Sequence, residues 1–294
     1  MAISRYAAAG GIDYSHRLHA GNVGDVWKHC VLVAVLRAVA AESPSVAYVE
    51  THAGDGRYPI HPTGEWTEGI GRLWRDAPPA RGGALADYLD FCRQLGEGDE
   101  RPTSYPGSPA FARAVLGDAG ELALWERDAR AAHHLTAVVG EHPRTRVTIG
   151  DGLAVLNEAL HVSRAAATVA LLDPSWGQKS DWQTIPDALV RAAHAAPRAC
   201  LLLWYPVKSL TRPNAMMERL AAASIEGVAA ELVTTPLAHK RNRLNGSGVL
   251  LLRAPAAAVD AVAAAAPEIG ARCATFPGAW SLRLRAFAGN GGMC

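Results

Sequence analysis

A chain of 294 residues, 49% hydrophobic and 19% charged, has a globular composition and length enough for one large α/β domain with an insertion, or for two domains. Its formal net charge of +1 excludes a global basic footprint, so any nucleic acid must be met by a local patch. Five scattered cysteines (Cys30, Cys92, Cys200, Cys273, Cys294), never in C-x-x-C spacing, argue against a cysteine zinc site and read as a reduced, intracellular pattern. No signal-peptide pattern and no run near the ~18 apolar residues of a membrane span are present, so a cytoplasmic chain without a membrane partner is expected.

Residues 1–13 carry no pattern, and Tyr14 to His29 is dense in polar functional groups. From about Val23 to Ala41 the apolar spacing predicts a helix started by Asn22 or Asp25. Lys28 and His29 then fall near its N-terminus, where a lysine opposes the helix dipole. Either Lys28 is a solvated surface residue or it serves a ligand carboxylate or phosphate. His16, His19, His29 and His52 lack the spacing of a metal site, and none is expected.

Val46–Glu50 predicts the first strand, feeding the turn Thr51-His-Ala-Gly-Asp-Gly-Arg57. Glycines after such a strand, Gly54 and Gly56, let backbone approach a cofactor, although the spacing also describes many tight turns. Residues 58–104 hold Pro59, Pro62, Pro78, Pro79 and Pro102, with helical patches near Thr67–Arg75 and Leu85–Leu95. They are expected to form a small helical insertion subdomain, with 1–57 and 105–294 making the main domain. Tyr105-Pro-Gly-Ser-Pro109 suits a helix start before Ala110–Leu116.

The second strand, Glu121–Trp125, ends in Glu126, where dinucleotide-type folds hold ribose hydroxyls. That acid usually lies about 20 residues beyond the glycine turn, and the insertion accounts for the longer gap here. After a helix over Ala129–Val139, the strand Arg146–Ile149 ends in Gly150-Asp151-Gly152. Asp151 could cap a helix over Leu153–Leu160 or accept from an adenine amino group.

The stretch Thr168-Val-Ala-Leu-Leu-Asp-Pro-Ser-Trp176 opens with the fourth strand, 168–172, an apolar run stopped by Pro174. Asp173 therefore sits at the carboxyl edge of the sheet beside a large aromatic. An acid, a carbonyl and a flat ring suit a planar group bearing an NH₂; taken alone, the stretch reads first as an ordinary strand end, with Asp173 capping the next turn and Trp176 as core. A helix over Trp182–Ala195 and the strand Ala199–Tyr205, ended by Pro206, follow. A helix near Pro213–Ala223 then leads to strands Val228–Leu237 and Val249–Leu252, read as an antiparallel edge hairpin.

Glu50 or His52, Glu126, Asp151 and Asp173 thus close four successive strands. The layout resembles class I S-adenosylmethionine-dependent methyltransferases, and Asp-Pro-Ser-Trp is similar to the (Asp/Asn)-Pro-Pro-(Tyr/Phe/Trp) motif of amino-methyltransferases. With His19-Ala-Gly-Asn-Val-Gly-Asp-Val-Trp-Lys-His29, Thr51–Tyr58, Gly64–Ile70, Tyr105–Pro109, Gly150–Gly152 and Leu203–Pro206, the chain resembles the RlmJ family of 23S ribosomal RNA adenine-N6 methyltransferases from Tyr14 to about Pro255. The resemblance implies a Rossmann-like, mostly parallel α/β sheet, S-adenosylmethionine as cofactor, ribosomal RNA as partner and a monomeric enzyme. It implies cofactor contacts from Lys28, His29, His52, Gly54, Ser108, Glu126, Asp151, Gly152 and Asp173. Asp173 and the Pro174 carbonyl would orient a flipped-out base, Trp176 would stack on it, and Tyr14 and His16 would lie over the site. Ser175 stands where the family has Pro. Phosphate contacts are expected from Arg57, Arg72, Arg75, Lys240, Arg241 and Arg243. The competing readings are the same transfer to DNA adenine, a protein amide or a small amine, and a non-catalytic RNA-binding module.

Overall fold

The computed structural model describes residues 19–74, 82–96, 98, 101–161, 163–239 and 244–289. Its centre is an eight-stranded sheet made of β1 (Val46–Glu50), β4 (Glu121–Glu126), β5 (Thr145–Ile149), β6 (Ala167–Leu172), β7 (Cys200–Val207), β8 (Gly227–Val233), β9 (Gly246–Leu252) and β10 (Ser281–Phe287). The spatial order is β10-β8-β9-β7-β6-β1-β4-β5. The run from β7 to β5 is parallel, whereas β9 is antiparallel to both β7 and β8, and β10 to β8. Such a sheet, with its faces covered, is a Rossmann-like α/β fold. β1 is buried at every position and β6 at its last four, as their unbroken apolar runs require.

Chain order reverses at β1. From there β4 and β5 build outward on one side, and the chain then returns to lay β6 on the other. The carboxyl ends of β1 and β6 therefore flank a topological switch point, where loops diverge and leave a crevice.

Helix α1 (Val23–Glu42) is apolar on all sides and buried over most of its length. It packs against α9 (Ala256–Cys273), α4 (Ser108–Leu116), α3 (Ala84–Gly96) and β9. A helix hydrophobic all round belongs inside a protein, and the Trp27 indole N–H ties this one to the Ala230 carbonyl at 3.0 Å. Asn22 is its N-cap, accepting from the Asp25 N–H at 3.0 Å.

Between β1 and β4, a short ribbon of β2 (Arg57–Pro59) and β3 (Ser104–Pro106) brackets a 3-10 turn at Glu65–Glu68, α2 (Ile70–Trp74) and α3. Trp66, Ile70, Leu73, Tyr88 and Leu89 of this segment join the core cluster that contains α1.

The C-terminal third departs from expectation. The β8–β9 hairpin is antiparallel but interior, because β10, which carries no strong strand signal, covers β8 as the edge. Alanine richness conceals α9, whose Ala258, Val262, Ala265, Ala266 and Ile269 face the core. β7 runs through Pro206 to Val207, since β9 keeps pairing alongside it. β8 stops at Val233, where Thr234 and Thr235 turn to bond the Asn245 carbonyl. The helix expected over Leu153–Leu160 shrinks to α6 (Leu156–Ala159).

Candidate active site

At the switch point, the turn after β1 bridges its neighbours. Thr51 N–H bonds the Leu171 carbonyl of β6 at 3.2 Å, and Ala53 N–H bonds the Trp125 carbonyl of β4 at 2.9 Å. Glu126 completes the turn, with Oε2 accepting from Gly54 N–H and Oε1 from Asp128 N–H, both at 2.8 Å. Gly54 and Gly56 have φ of 62° and 73°, so glycine is required here on backbone grounds. Its absent side chain is also needed for packing: a Cβ on Gly54 would strike the Tyr58 hydroxyl, and one on Gly56 would meet Leu135 of α5 (Ala129–Val139) at 2.8 Å. The turn itself thus requires glycine at both positions.

Asp151, exposed beyond β5, accepts through Oδ1 from Leu153 and Ala154 N–H at 3.1 Å. Gly152 beside it is buried, and a Cβ there would lie 2.6 Å from the Thr51 carbonyl oxygen. His52 is partly buried, and Thr51 Oγ1 lies 2.8 Å from its Nδ1. Burial lowers the His52 pKa, although Asp173 and Glu126 oppose the shift, so its imidazole is neutral at pH 7.

Asp173 stands just past the end of β6. Its Oδ2 receives the Lys28 ammonium at 2.6 Å, while Lys28 also donates to Asp25 Oδ1 at 2.9 Å. Lys28 is only 4% exposed. Burial disfavours its charge, but Asp173 and Asp25 outweigh that and hold its pKa above the ordinary value. Its place near the start of α1 is thereby explained: two carboxylates override the helix dipole, and the lysine is buried rather than a solvated surface residue. Asp25 Oδ2 in turn accepts from Gly21 N–H at 3.0 Å.

Behind this lies a buried polar layer that only the fold brings together. Glu50, fully buried, accepts from Ser108 Oγ at 2.5 Å and from Tyr48 Oη at 2.8 Å. Burial pushes its pKa up to about 8 despite the Ser108 and Tyr48 hydrogen bonds that hold it down. His29 Nδ1 lies 2.8 Å from Tyr105 Oη, which lies 3.0 Å from Tyr88 Oη. His29 and Ser108, expected at the cofactor, are both buried with protein partners. The acid and serine types were visible in sequence; their pairing across 58 positions was not.

Pro174 is buried and Ser175 exposed. Trp176 adopts φ 53°, a left-handed conformation that is strained for a bulky residue. Its ring does not offer an open face to a base. It is 9% exposed, donates Nε1–H to the Trp204 carbonyl at 3.0 Å, and packs on Trp182 with centroids 4.3 Å apart.

Tyr14, His16, Arg75, Lys240, Arg241 and Arg243 lie outside the described residues. Arg72 is not placed for phosphate: it donates to the Ala274 carbonyl at 2.6 Å and the Arg272 carbonyl at 3.3 Å, closing the C-terminus of α9. Among the described residues, no group of three His, Cys, Asp or Glu could hold a metal, and no helix is long and apolar enough to cross a membrane.

The family model described as "Ribosomal RNA large subunit methyltransferase D, RlmJ" matches residues 43–285, beginning after α1. The Escherichia coli (strain K12) protein named Ribosomal RNA large subunit methyltransferase J is 30% identical over 252 residues, 83% of this chain and 88% of that one. Its Haemophilus influenzae namesake is 27% identical over the same shares. A crystal structure of Legionella pneumophila protein LPL1258 superposes with a TM-score of 0.81 at 26% identity, covering 93% of this chain and 99% of that one. Sheet, strand-end acids and these matches agree: the chain belongs to the ribosomal RNA large subunit methyltransferase J family, enzymes whose methyl donor is S-adenosylmethionine.

Proposed function

We propose that this enzyme methylates N6 of an adenine in 23S ribosomal RNA, with Asp173 aligning the acceptor. The observation that carries this reading is the asymmetry of Asp173. Lys28 occupies Oδ2 from the protein side, which leaves Oδ1 to accept from a base amino group at the switch-point crevice.

The donor set fits the cofactor. Glu126 offers a carboxylate for a ribose diol, and Asp151 has Oδ2 beyond its capping oxygen for an adenine amino group. Neutral His52, Gly54, Gly152 and the Lys28–His29 and Ser108 layer frame the methionine side. When bound, S-adenosylmethionine supplies an electrophilic methyl group on a cationic sulfonium. Adenine N6 is a poor nucleophile because its lone pair is delocalised into the ring. Accepting its two hydrogens at Asp173 Oδ1 and the Pro174 carbonyl favours a more tetrahedral nitrogen aimed along the transfer line. The base must leave its stack to reach Asp173, at a cost of a few kcal/mol, so an aromatic face is needed near the crevice. Trp176 serves if its indole leaves the Trp204 carbonyl. Tyr14 and His16 are assigned by family resemblance to cover the base. The chain acts as a cytoplasmic monomer, with 58–104 as its insertion.

Transfer of labelled methyl from S-adenosylmethionine to ribosomal RNA of cells lacking the gene, followed by nucleoside digestion, tests this. Label is expected in N6-methyladenosine. Label only in DNA, a protein amide or a small amine refutes the RNA acceptor. Asp173→Ala is expected to lower transfer at least ~10³-fold with cofactor affinity within about threefold of wild type, the pattern of a lost positioning contact. Parallel loss of both would show that Asp173 holds the cofactor instead.

A further inference from the structure

β6 and β7 pair in parallel register up to Leu172 and Leu203, and β7 runs on to Val207, so the loops leaving these neighbouring strands lie on the carboxyl edge of the sheet that carries Asp173. Residues 174–182 and 206–214 carry Lys179, Lys208 and Arg212 against one acid, Asp181. This is a local excess of two positive charges in a chain whose whole formal charge is +1. All three cations are exposed, and none has an ion pair among the described residues. Asp181 is engaged, with Oδ2 accepting from Gln178 N–H at 2.8 Å.

The patch is joined to the motif by a ladder of rings. Trp176 packs on Trp182 of α7 (Asp181–Ala195), and the Arg212 guanidinium lies 5.7 Å from the Trp182 ring centroid. Arg212 sits in the first turn of α8 (Thr211–Ala222), where a cation opposes the helix dipole and gains nothing for the helix. A guanidinium held on an aromatic ring has lost much of its rotamer freedom and keeps its N–H edge for a phosphate.

We propose that Lys179, Lys208 and Arg212, with Trp182 as the support of Arg212, bind the RNA backbone that leads into the active site. None belongs to the arginine and lysine set expected from sequence to meet phosphate. The proposal rests on RNA being the acceptor, and charge complementarity selects that occupant: the cations are exposed, unpaired and continuous with the base-binding loop.

The test measures binding of an unmodified 23S ribosomal RNA fragment across a salt series, with cofactor affinity as the check on folding. For Lys179→Gln/Lys208→Gln/Arg212→Gln, RNA affinity should fall about tenfold or more, and the slope of log K against log salt should drop by about 2, at ~0.7 per lost single-strand phosphate contact. Cofactor affinity should not change. Arg212→Lys should keep the slope and lose affinity, because it retains charge without the stack. Arg191→Gln/Arg198→Gln, exposed at the other end of α7, should change neither. A triple variant with wild-type affinity and slope overturns the proposal, as does an equal loss in the α7-end control or a wild-type chain that binds no RNA. Methyl transfer is scored separately. Salt-dependent RNA binding lost in the triple variant, together with transfer to another acceptor, would sink the adenine reading while leaving this surface standing.

Discussion

Replacing Lys28 with methionine should separate electrostatics from packing at the site. The ammonium is 4% exposed and lies 2.6 Å from Asp173 and 2.9 Å from Asp25, which are 16% and 4% exposed. Methionine keeps most of the stem, so the main loss is the charge that neutralises two buried carboxylates. Removing one member of a buried ion pair costs about 3–5 kcal/mol; the lower figure suits here, because Asp173 is partly hydrated and Asp25 keeps the Gly21 N–H. A loss of about 3 kcal/mol in a chain of this length lowers Tm by roughly 5 °C. The pH dependence is the sharper readout. Without Lys28 the two carboxylates are left in the folded state with no counter-charge, a penalty felt only while they are ionised, so the deficit of the variant grows as pH rises. The gap from wild type should therefore be small near pH 4 and complete by pH 7. In wild type the raised Lys28 pKa makes a contribution present at neutral pH and lost only at strongly alkaline pH. Denaturant unfolding of both chains at pH 4 and 7 decides it. A gap independent of pH would mean that lost packing, not uncompensated charge, is the cost.

Glu50→Gln should flatten part of the pH profile. The Glu50 pKa rises from 4.5 to about 8 on folding, so this carboxyl weakens the fold as pH climbs through that interval, and the glutamine chain should be less pH-sensitive there in thermal unfolding. Gly152→Ala would push a methyl to 2.6 Å from the Thr51 carbonyl and Trp125, so stability should drop by about 1–3 kcal/mol and cofactor affinity with it, read by calorimetry. Arg72→Met removes the donor that closes α9, and a stability loss of about 1 kcal/mol, read from denaturant unfolding, is expected with RNA affinity unchanged.

Legibility in the sequence followed the range of the interactions. The strands bearing Glu50, Glu126 and Asp173, the Asn22 cap and the start of α1 were readable, because apolar runs, breakers and caps act over a few residues. So was the order of acids at strand ends, which the parallel sheet then aligned along one edge.

What sequence could not reveal was where each polar side chain spends its hydrogen bonds. Lys28 reads as misplaced until Asp173, 145 positions away, meets it. Ser108 and His29 become interior groups only once β1 and β3 are in place, and Trp176 becomes core only against Trp182 and the Trp204 carbonyl. The edge strand β10 and the alanine-rich α9 escaped for a related reason. Alanine carries little periodic contrast, and β10 has a weak apolar face, so tertiary burial rather than local pattern determines both. The sequence by itself determined which residue types close the strands, and the family. The tertiary structure alone decided which of those groups remain open to a ligand, because desolvation and pairing depend on neighbours distant in the chain.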